Sequence, residues 1–308
     1  RRTIEAAARA GANAVKFQLF DPYKTYPPNA GTAGYLEEDI FEVFRGYALP
    51  ETWLRPLQAK AHQVGVGFLC SAFDERGYDL VDKLVPAHKV ASYELTHEPL
   101  LRHVASLGKP VMLSTGCSSQ KEVEEARGFM ESLGVRVTVM QCTGAYPAPP
   151  ETLNLAVIAS WRRLGWGVGF SDHSLGVTAA PIAVALGATI VEKHFTLDRA
   201  QKGPDHSFAL DEGDFKQMVG GIRLAQVALG RLDKVVSGAE LELRAFCRRS
   251  IFVSRDITIG DPIEGHLSVL RNGNHPAGLP PSALDEMSKR VAARSLKAWH
   301  PLRKGDAE

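Results

Sequence analysis

Two similar stretches give the first indication of the fold: "WGVGFSDHSLG" at residues 166–176 and "ATIVEKHFTLD" at residues 188–198. Each opens with a short apolar run and passes into a histidine, His173 in the first and His194 in the second. An uninterrupted apolar run of this length is typical of a parallel strand that is covered on both faces. We therefore predict two successive buried strands, each followed by a histidine.

Similar apolar runs recur from the start of the chain to about residue 200. They predict seven strands: Ala14–Gln18, Gly67–Ser71, His88–Ser92, Pro110–Ser114, Val135–Cys142, Trp166–Ser171 and Thr189–His194. Helical stretches separate or follow them, among them Glu51–Gln63, Ser119–Leu133, Ala179–Leu186 and Asp214–Leu229. This alternation predicts βαβ units and a parallel sheet, and an α/β (β/α)8 TIM barrel fits best. Because only seven strands are found and the chain opens within a helical stretch, we expect the first βα unit upstream of Arg1.

The character of the sequence changes after Leu232. Residues 233–247 are charged and irregular, which predicts a linker. Residues 248–308 consist of short β-type segments broken by Gly and Pro, such as "SIFVSRDITIGDPI". We therefore predict a barrel domain over residues 1–232 and a small β-rich domain over residues 248–308.

Composition narrows the class of protein. The chain has 308 residues, 44% of them hydrophobic, and a net charge of +1, which argues against nucleic acid or an anionic membrane as the main partner. Neither a membrane-spanning apolar run nor a signal peptide is recognisable in the sequence. The four cysteines are widely spaced and form no CxxC pair, so neither a disulfide framework nor a zinc site is expected. These features predict a protein of the reducing cytoplasm.

Polar residues cluster where the predicted strands end, which is where barrel enzymes build their active sites. They are Lys16, Gln18, Ser71, Lys89, Ser92, Glu94, Ser114, Tyr146, Ser171, His173, Glu192 and His194. Any one of them could be an ion-pair partner or a turn residue, but their joint occurrence on one rim favours a site. Two lysines with several hydroxyls suit a small dianion such as a phosphate ester. Two imidazoles on adjacent strands could hold a divalent metal with open coordination positions.

The same residues carry a resemblance to a known family. In order, the sequence contains "KFQ", "KVASYE", "KPVMLSTG", "CTGAYPAPPETLNL", "GFSDHSLG", "EKHFTLD" and "GPDHSFALDEGDF". This series resembles the sialic acid synthases, which condense phosphoenolpyruvate with an N-acylated hexosamine to give a nine-carbon 2-keto sugar acid. The later segments "RRSIFVSRDITIGD" and "LRNGNHPAG" resemble the antifreeze-like (SAF) domain of that family.

The resemblance implies a role for each matching position. The metal ligands would be His173 and His194, with manganese as the expected metal and magnesium as the alternative. The phosphoenolpyruvate contacts would be Lys16, Ser71, Lys89, Ser92, Ser114 and Ser171, and the two lysines and two histidines would be the catalytic residues. The sugar contacts would be Gln18, Glu94, Tyr146, Asp205 and Arg271. Because Arg271 would reach the barrel of a second chain, the resemblance also implies a domain-swapped homodimer.

Three positions depart from the family pattern. Gly144 stands where many relatives have Asn, and Ser71 replaces a more usual Thr while keeping the hydroxyl. The family's first strand carries an "E-x-x-x-N-H" segment with a catalytic glutamate, and this segment is not in the sequence.

The sequence leaves the acceptor sugar and two other functions open. The acceptor would be N-acetylmannosamine or a bacterial di-N-acylated sugar that leads to legionaminic or pseudaminic acid. One alternative function is another phosphoenolpyruvate-dependent aldol-type synthase, which would act on a phosphorylated sugar. The other is a non-catalytic carbohydrate-binding scaffold that has kept the fold.

Overall fold

The structure, a computed structural model, describes residues 1–32 and 38–308. It divides into two units, Arg1–Gly230 and Arg231–Glu308. In the first unit the strands are β1 Ala14–Leu19, β2 Gly67–Ala72, β3 His88–Val90, β4 Val111–Ser114, β5 Val137–Cys142, β6 Gly167–Asp172 and β7 Ile190–Lys193. Its helices are α1 Arg2–Arg9, α2 Pro22–Thr25, α3 Ile40–Tyr47, α4 Leu54–Gln63, α5 Glu75–Asp82, α6 Glu98–Ser106, α7 Gln120–Ser132, α8 Ala156–Arg163, α9 Ala179–Ala185 and α10 Glu212–Leu229.

The seven strands form one parallel sheet in the order β1 to β7, as the alternating pattern predicts. Successive residues of a strand face opposite sides of the sheet. On the helix-covered side, Phe68, Val139 and Phe170 are buried in the main apolar core. Ser171 follows Phe170 and therefore faces the inner side, where it lies level with Glu192 of β7. The alternation thus separates an apolar outer face from an inner face that carries polar groups.

The sheet is curled, although its two edge strands do not pair with each other in the described part of the chain. Across the inside, the ammonium Nζ of Lys16 on β1 lies 3.6 Å from a carboxylate oxygen of Glu192 on β7. Outside the sheet, Arg9 of α1 forms an ion pair with Glu212 of α10 at 2.7 Å. The first contact joins the first and last strands across the inside of the sheet, and the second joins their flanking helices on the outside. The sheet is therefore curled like a barrel. Closure by an eighth strand stays a prediction.

Some element boundaries were predicted wrongly by one or two residues. The strand predicted over His88–Ser92 ends at Val90, because the chain turns into a 3-10 helix over Ser92–Glu94. The strand predicted to begin at Val135 begins at Val137, because the Val135 N–H donates to Met130 O at the end of α7. Helix α10 begins two residues before the predicted Asp214, since the Asp211 side chain caps it by accepting from the Asp214 N–H.

The second unit has its own small core. Its elements are α11 Leu241–Cys247, β8 Arg249–Val253, β9 Leu267–Arg271 and α12 Leu284–Met287. Strands β8 and β9 pair antiparallel, and Ile251, Val253 and Leu302 are fully buried between the short segments around them. The stretch that we predict as a linker, residues 233–247, contains α11. No helix in the described part of the protein is long and apolar enough to cross a bilayer.

Candidate active site

Two lysines and one glutamate meet on the inner face of the sheet, at the carboxyl ends of the strands. Lys16 Nζ and Lys89 Nζ lie 3.6 and 3.8 Å from the same oxygen of Glu192. Burial by itself raises the pKa of Glu192, but the two ammonium groups outweigh it and hold the pKa at about 2. Burial lowers the pKa of Lys89, while Glu192 acts in the opposite direction. The site therefore contains a fixed carboxylate between two cations.

Serine hydroxyls surround these charges, one from each neighbouring strand. Lys16 donates to Ser71 Oγ at 3.3 Å, and Lys89 donates to Ser114 Oγ at 2.7 Å. The Ser171 hydroxyl donates to Glu192 Oε1 at 3.3 Å. Of the serines predicted to bind the anion, Ser71, Ser114 and Ser171 thus lie beside these charged groups, whereas Ser92 has a different hydrogen-bond partner. The Ser92 hydroxyl accepts a hydrogen bond from the Gly116 N–H at 3.0 Å, which fixes the turn after β4.

His173 is held as a neutral imidazole with a defined tautomer. Its Nδ1 lies 2.8 Å from the carbonyl oxygen of Thr143, so Nδ1 carries the proton and Nε2 keeps its lone pair. Burial lowers the pKa of His173 to about 4, and the nearby His194 acts in the same direction. A neutral imidazole whose other nitrogen bonds to a carbonyl is the usual state of a metal-ligating histidine.

His194 lies beside His173, as adjacent strands predict. The two ring centroids are 5.5 Å apart, and Asp205 places a carboxylate oxygen 3.4 Å from Nδ1 of His194. Tyr146 packs against the His173 ring at a centroid distance of 4.2 Å with the rings tilted by 32°, and Phe208 packs edge-on to His194 at 5.2 Å. Both imidazole rings are therefore held in place by packing against aromatic side chains.

The donor set fits a metal that the protein binds through few ligands. Among residues 1–32 and 38–308 there is no group of three or more His, Cys, Asp or Glu side chains placed to hold an ion. Two neutral imidazoles are suitable ligands for a divalent ion whose other positions are filled by substrate or water. Residues His173 and His194 would supply the protein's share.

The remaining predicted sugar contacts are less concentrated. Gln18 is exposed near the end of β1, and Glu94 is half-buried in the turn after β3, where burial raises the pKa of its carboxyl group. Asp205 reaches the site through its contact with His194. Arg271 is exposed at the end of β9, in the second unit. The structure thus brings Asp205 and Tyr146 to the two histidines.

Sequence reasoning gave no role to two groups of the site. Glu192, which the sequence places on the rim as no more than a possible ion-pair partner, lies at the centre of the charged cluster, and its position two residues before His194 puts both side chains on one face of the chain. The Thr143 carbonyl orients His173, and no sequence signal identifies a backbone acceptor of this kind. Both groups depend on how neighbouring strands align.

The structure also explains one departure from the family pattern. A Cβ atom added at Gly144 would lie 2.5 Å from Sγ of Cys117, which is closer than real contacts allow. An asparagine there would require the Cys117 side chain to turn away. Cys117 and Gly144 both line a cavity of about 550 Å³ beside the site, which continues to Asn154 and Trp161.

A curled parallel sheet with cations, hydroxyls and paired imidazoles at its carboxyl edge defines a barrel-type enzyme site for a small anionic substrate. The sequence profile of the NeuB family matches residues 3–234. The chain belongs to the NeuB family.

Known proteins are similar over most of the chain. It is 38% identical to the spore coat polysaccharide biosynthesis protein SpsE of Bacillus subtilis, over 94% of this chain and 84% of that protein. It is 34% identical to the N,N'-diacetyllegionaminic acid synthase of Legionella pneumophila, over 98% and 89% of the two chains. The crystal structure of an N-acetylneuraminic acid (sialic acid) synthetase from Leptospira borgpetersenii superposes with a TM-score of 0.73. That pair is 26% identical, over 79% of this chain and 84% of the other.

Proposed function

We propose that this protein condenses phosphoenolpyruvate with an N-acylated hexosamine to give a nonulosonic (sialic-type) acid and phosphate. One observation carries the proposal: the buried Lys89 and the part-buried Lys16, with their serine hydroxyls, share one sheet edge with two adjacent imidazoles. The first group suits a phosphorylated enol acid, and the second suits a carbonyl that must be polarised. The matches to named legionaminic and sialic acid synthases support the same reaction.

In the reaction, C3 of phosphoenolpyruvate forms a bond to the aldehyde carbon of the open-chain sugar. Water adds at C2, and phosphate leaves by cleavage of the bond between C2 and the bridging oxygen. Lys16 and Lys89 stabilise the phosphate and carboxylate while the charge redistributes, and the effect is strongest for Lys89, whose side chain is shielded from water. The serines Ser71, Ser114 and Ser171 offer the remaining hydrogen bonds to oxygen atoms.

We propose a divalent metal as the cofactor, manganese with magnesium as the alternative, held by His173 and His194. When bound, such a metal supplies Lewis-acid polarisation of the sugar aldehyde. The Thr143 carbonyl accepts a hydrogen bond from Nδ1 of His173, which keeps the lone pair of Nε2 available. The Asp205 carboxylate, near Nδ1 of His194, orients the second imidazole. As sugar contacts in the barrel we propose Gln18, Glu94, Tyr146 and Asp205.

For the second unit, we propose an antifreeze-like (SAF) domain whose Arg271 reaches the site of a second chain. The protein would then be a domain-swapped homodimer. In the first unit, Leu224 and Val227 of α10 are 69% and 80% exposed, and in the second unit Leu243 of α11 is 63% exposed. Apolar side chains this exposed favour self-association. We place the reaction in the cytoplasm, since all four cysteines are free thiols.

The two alternative functions are less well supported. A synthase acting on a phosphorylated sugar needs cations for a second phosphate, whereas Lys16 and Lys89 are already matched to one anion and to Glu192. A scaffold without catalysis has no need of a buried ammonium such as that of Lys89, which costs free energy to desolvate.

The test is turnover with phosphoenolpyruvate carrying ¹⁸O at the bridging position. N-acetylmannosamine and a di-N-acylated hexose are offered separately, and the expected result is a nonulosonic acid together with labelled phosphate. A control variant, Lys121→Met, changes a lysine that is 82% exposed on α7, and it should turn over as the wild type does. Release of unlabelled phosphate, or sugar binding without turnover in the presence of manganese, would contradict the proposal.

A further inference from the structure

We propose that the ion pair between Asp172 and Lys193, together with Ser174, is the positioning element that sets His173 and His194 in place. The inference deepens the proposed function, because it rests on those two imidazoles acting as ligands. Neither residue of the pair faces the substrate, so their effect would pass through the histidines.

The register of the last two strands carries the first step. Asp172 of β6 lies directly beside Lys193 of β7, as does Ser171 beside Glu192 one residue earlier. Because side chains alternate along a strand, the pair lies on the face of the sheet opposite to Ser171 and Glu192. Each member of the pair is also the residue immediately before one of the two histidines. The pair therefore ties together the two backbone positions from which the imidazoles start.

Ser174, the residue that follows His173, is hydrogen-bonded to both members of the ion pair. Lys193 Nζ lies 2.8 Å from Asp172 Oδ2 and also donates to the carbonyl oxygen of Ser174. Asp172 Oδ1 accepts from the Ser174 N–H at 2.9 Å and from its hydroxyl at 2.6 Å. The residues before and after His173 are thus bonded to one another and to Lys193. This arrangement fixes the turn from which the His173 ring reaches the Thr143 carbonyl.

The ion pair is buried, so forming it costs free energy of desolvation. The side chains of Lys193 and Asp172 are 1% and 0% exposed. A buried ion pair gives little net stability over an apolar pair of similar size, since both charges must be desolvated. An apolar pair could pack between the strands equally well, but it could not bond to the Ser174 backbone. The feature that needs the charges is the geometry of the turn.

The test replaces the pair by apolar residues, Asp172→Leu with Lys193→Met, so that no single charge is left buried. The control is Lys121→Met with Glu125→Leu, an exposed ion pair on α7. The first readout is the ¹⁵N spectrum of the His173 imidazole without metal, which reports the Nδ1-protonated tautomer. The second is manganese affinity, measured from the free ion by electron paramagnetic resonance.

In the double variant we expect a mixture of His173 tautomers and manganese affinity reduced about 10- to 100-fold, the usual effect of losing an outer support of a metal ligand. A folded double variant with the wild-type tautomer and affinity would overturn the inference. If the double variant does not fold, Ser174→Ala, which removes one hydrogen bond to Asp172, decides in the same way with a smaller shift. Wild-type protein that binds no manganese would contradict the proposed metal, whereas the tautomer readout would still decide this inference.

Discussion

Replacing Lys89 by Met tests the anion site most directly. The side chain of Lys89 is 3% exposed, and its ammonium lies 2.7 Å from Ser114 Oγ and 3.8 Å from Glu192. Met keeps most of the volume and removes the charge together with its hydrogen bond to Ser114. At an effective dielectric of about 20, two unit charges about 4 Å apart interact with about 4 kcal/mol. Part of this is lost to rearrangement, and a loss of about 3–4 kcal/mol corresponds to about 100- to 1000-fold in kcat/KM.

The assay is steady-state phosphate release with phosphoenolpyruvate varied at saturating sugar. We expect the KM for phosphoenolpyruvate to rise and kcat to fall, while the KM for the sugar changes little. Without Lys89, Glu192 repels the substrate anion, so adding Glu192→Gln to Lys89→Met should restore part of the binding. The control Lys121→Met, on exposed α7, should behave as wild type. A Lys89→Met enzyme with unchanged kcat/KM for phosphoenolpyruvate would refute the assignment of this cluster to the anion.

Four further predictions concern the metal ligands, Arg271 of the second unit and a buried histidine. His194→Ala should bind less manganese than wild type after chelation and re-addition; equal stoichiometry would remove His194 from the ligand set. Arg271→Ala should lower kcat/KM for the sugar about 10- to 150-fold, the value of one lost charged hydrogen bond of about 1.5–3 kcal/mol, with the KM for phosphoenolpyruvate unchanged. Mixing Arg271→Ala chains with His194→Ala chains should recover part of the activity, and heterodimers that stay inactive would contradict the swapped arrangement. Burial lowers the pKa of His88 against the opposing effect of Asp82. The unfolded chain therefore binds more protons below about pH 6.5, and the free energy of unfolding should fall as the pH drops. Denaturant titrations at pH 7.5 and 5.5 should show a smaller fall for His88→Gln than for the wild type, and an equal fall would contradict this prediction.

Local pattern was enough to predict the sheet. The seven strands that the structure describes in the first unit overlap the apolar runs that predict them, because each needs apolar residues on its helix-covered face. The prediction that β7 is buried was wrong, since its residues are only partly buried. Errors lie at the ends, as at Ser92, whose hydroxyl accepts a hydrogen bond from the Gly116 N–H in the turn after β4. Such a bond joins residues that are distant in sequence, and no local window contains both.

The chemical groups at the strand ends, namely the two lysines, the serines and the two histidines, can be read from the amino-acid sequence. Their pairing depends on the folded chain. Glu192 becomes the centre of the site because curling brings β1 and β7 together across the inside, and His173 acquires its tautomer from the carbonyl of Thr143 on the preceding connection. The buried pair of Asp172 and Lys193 follows from strand register. The physical reason is common to all three: charge and hydrogen bonding depend on distances of a few ångströms between separate strands, and these distances are set by packing of the whole sheet.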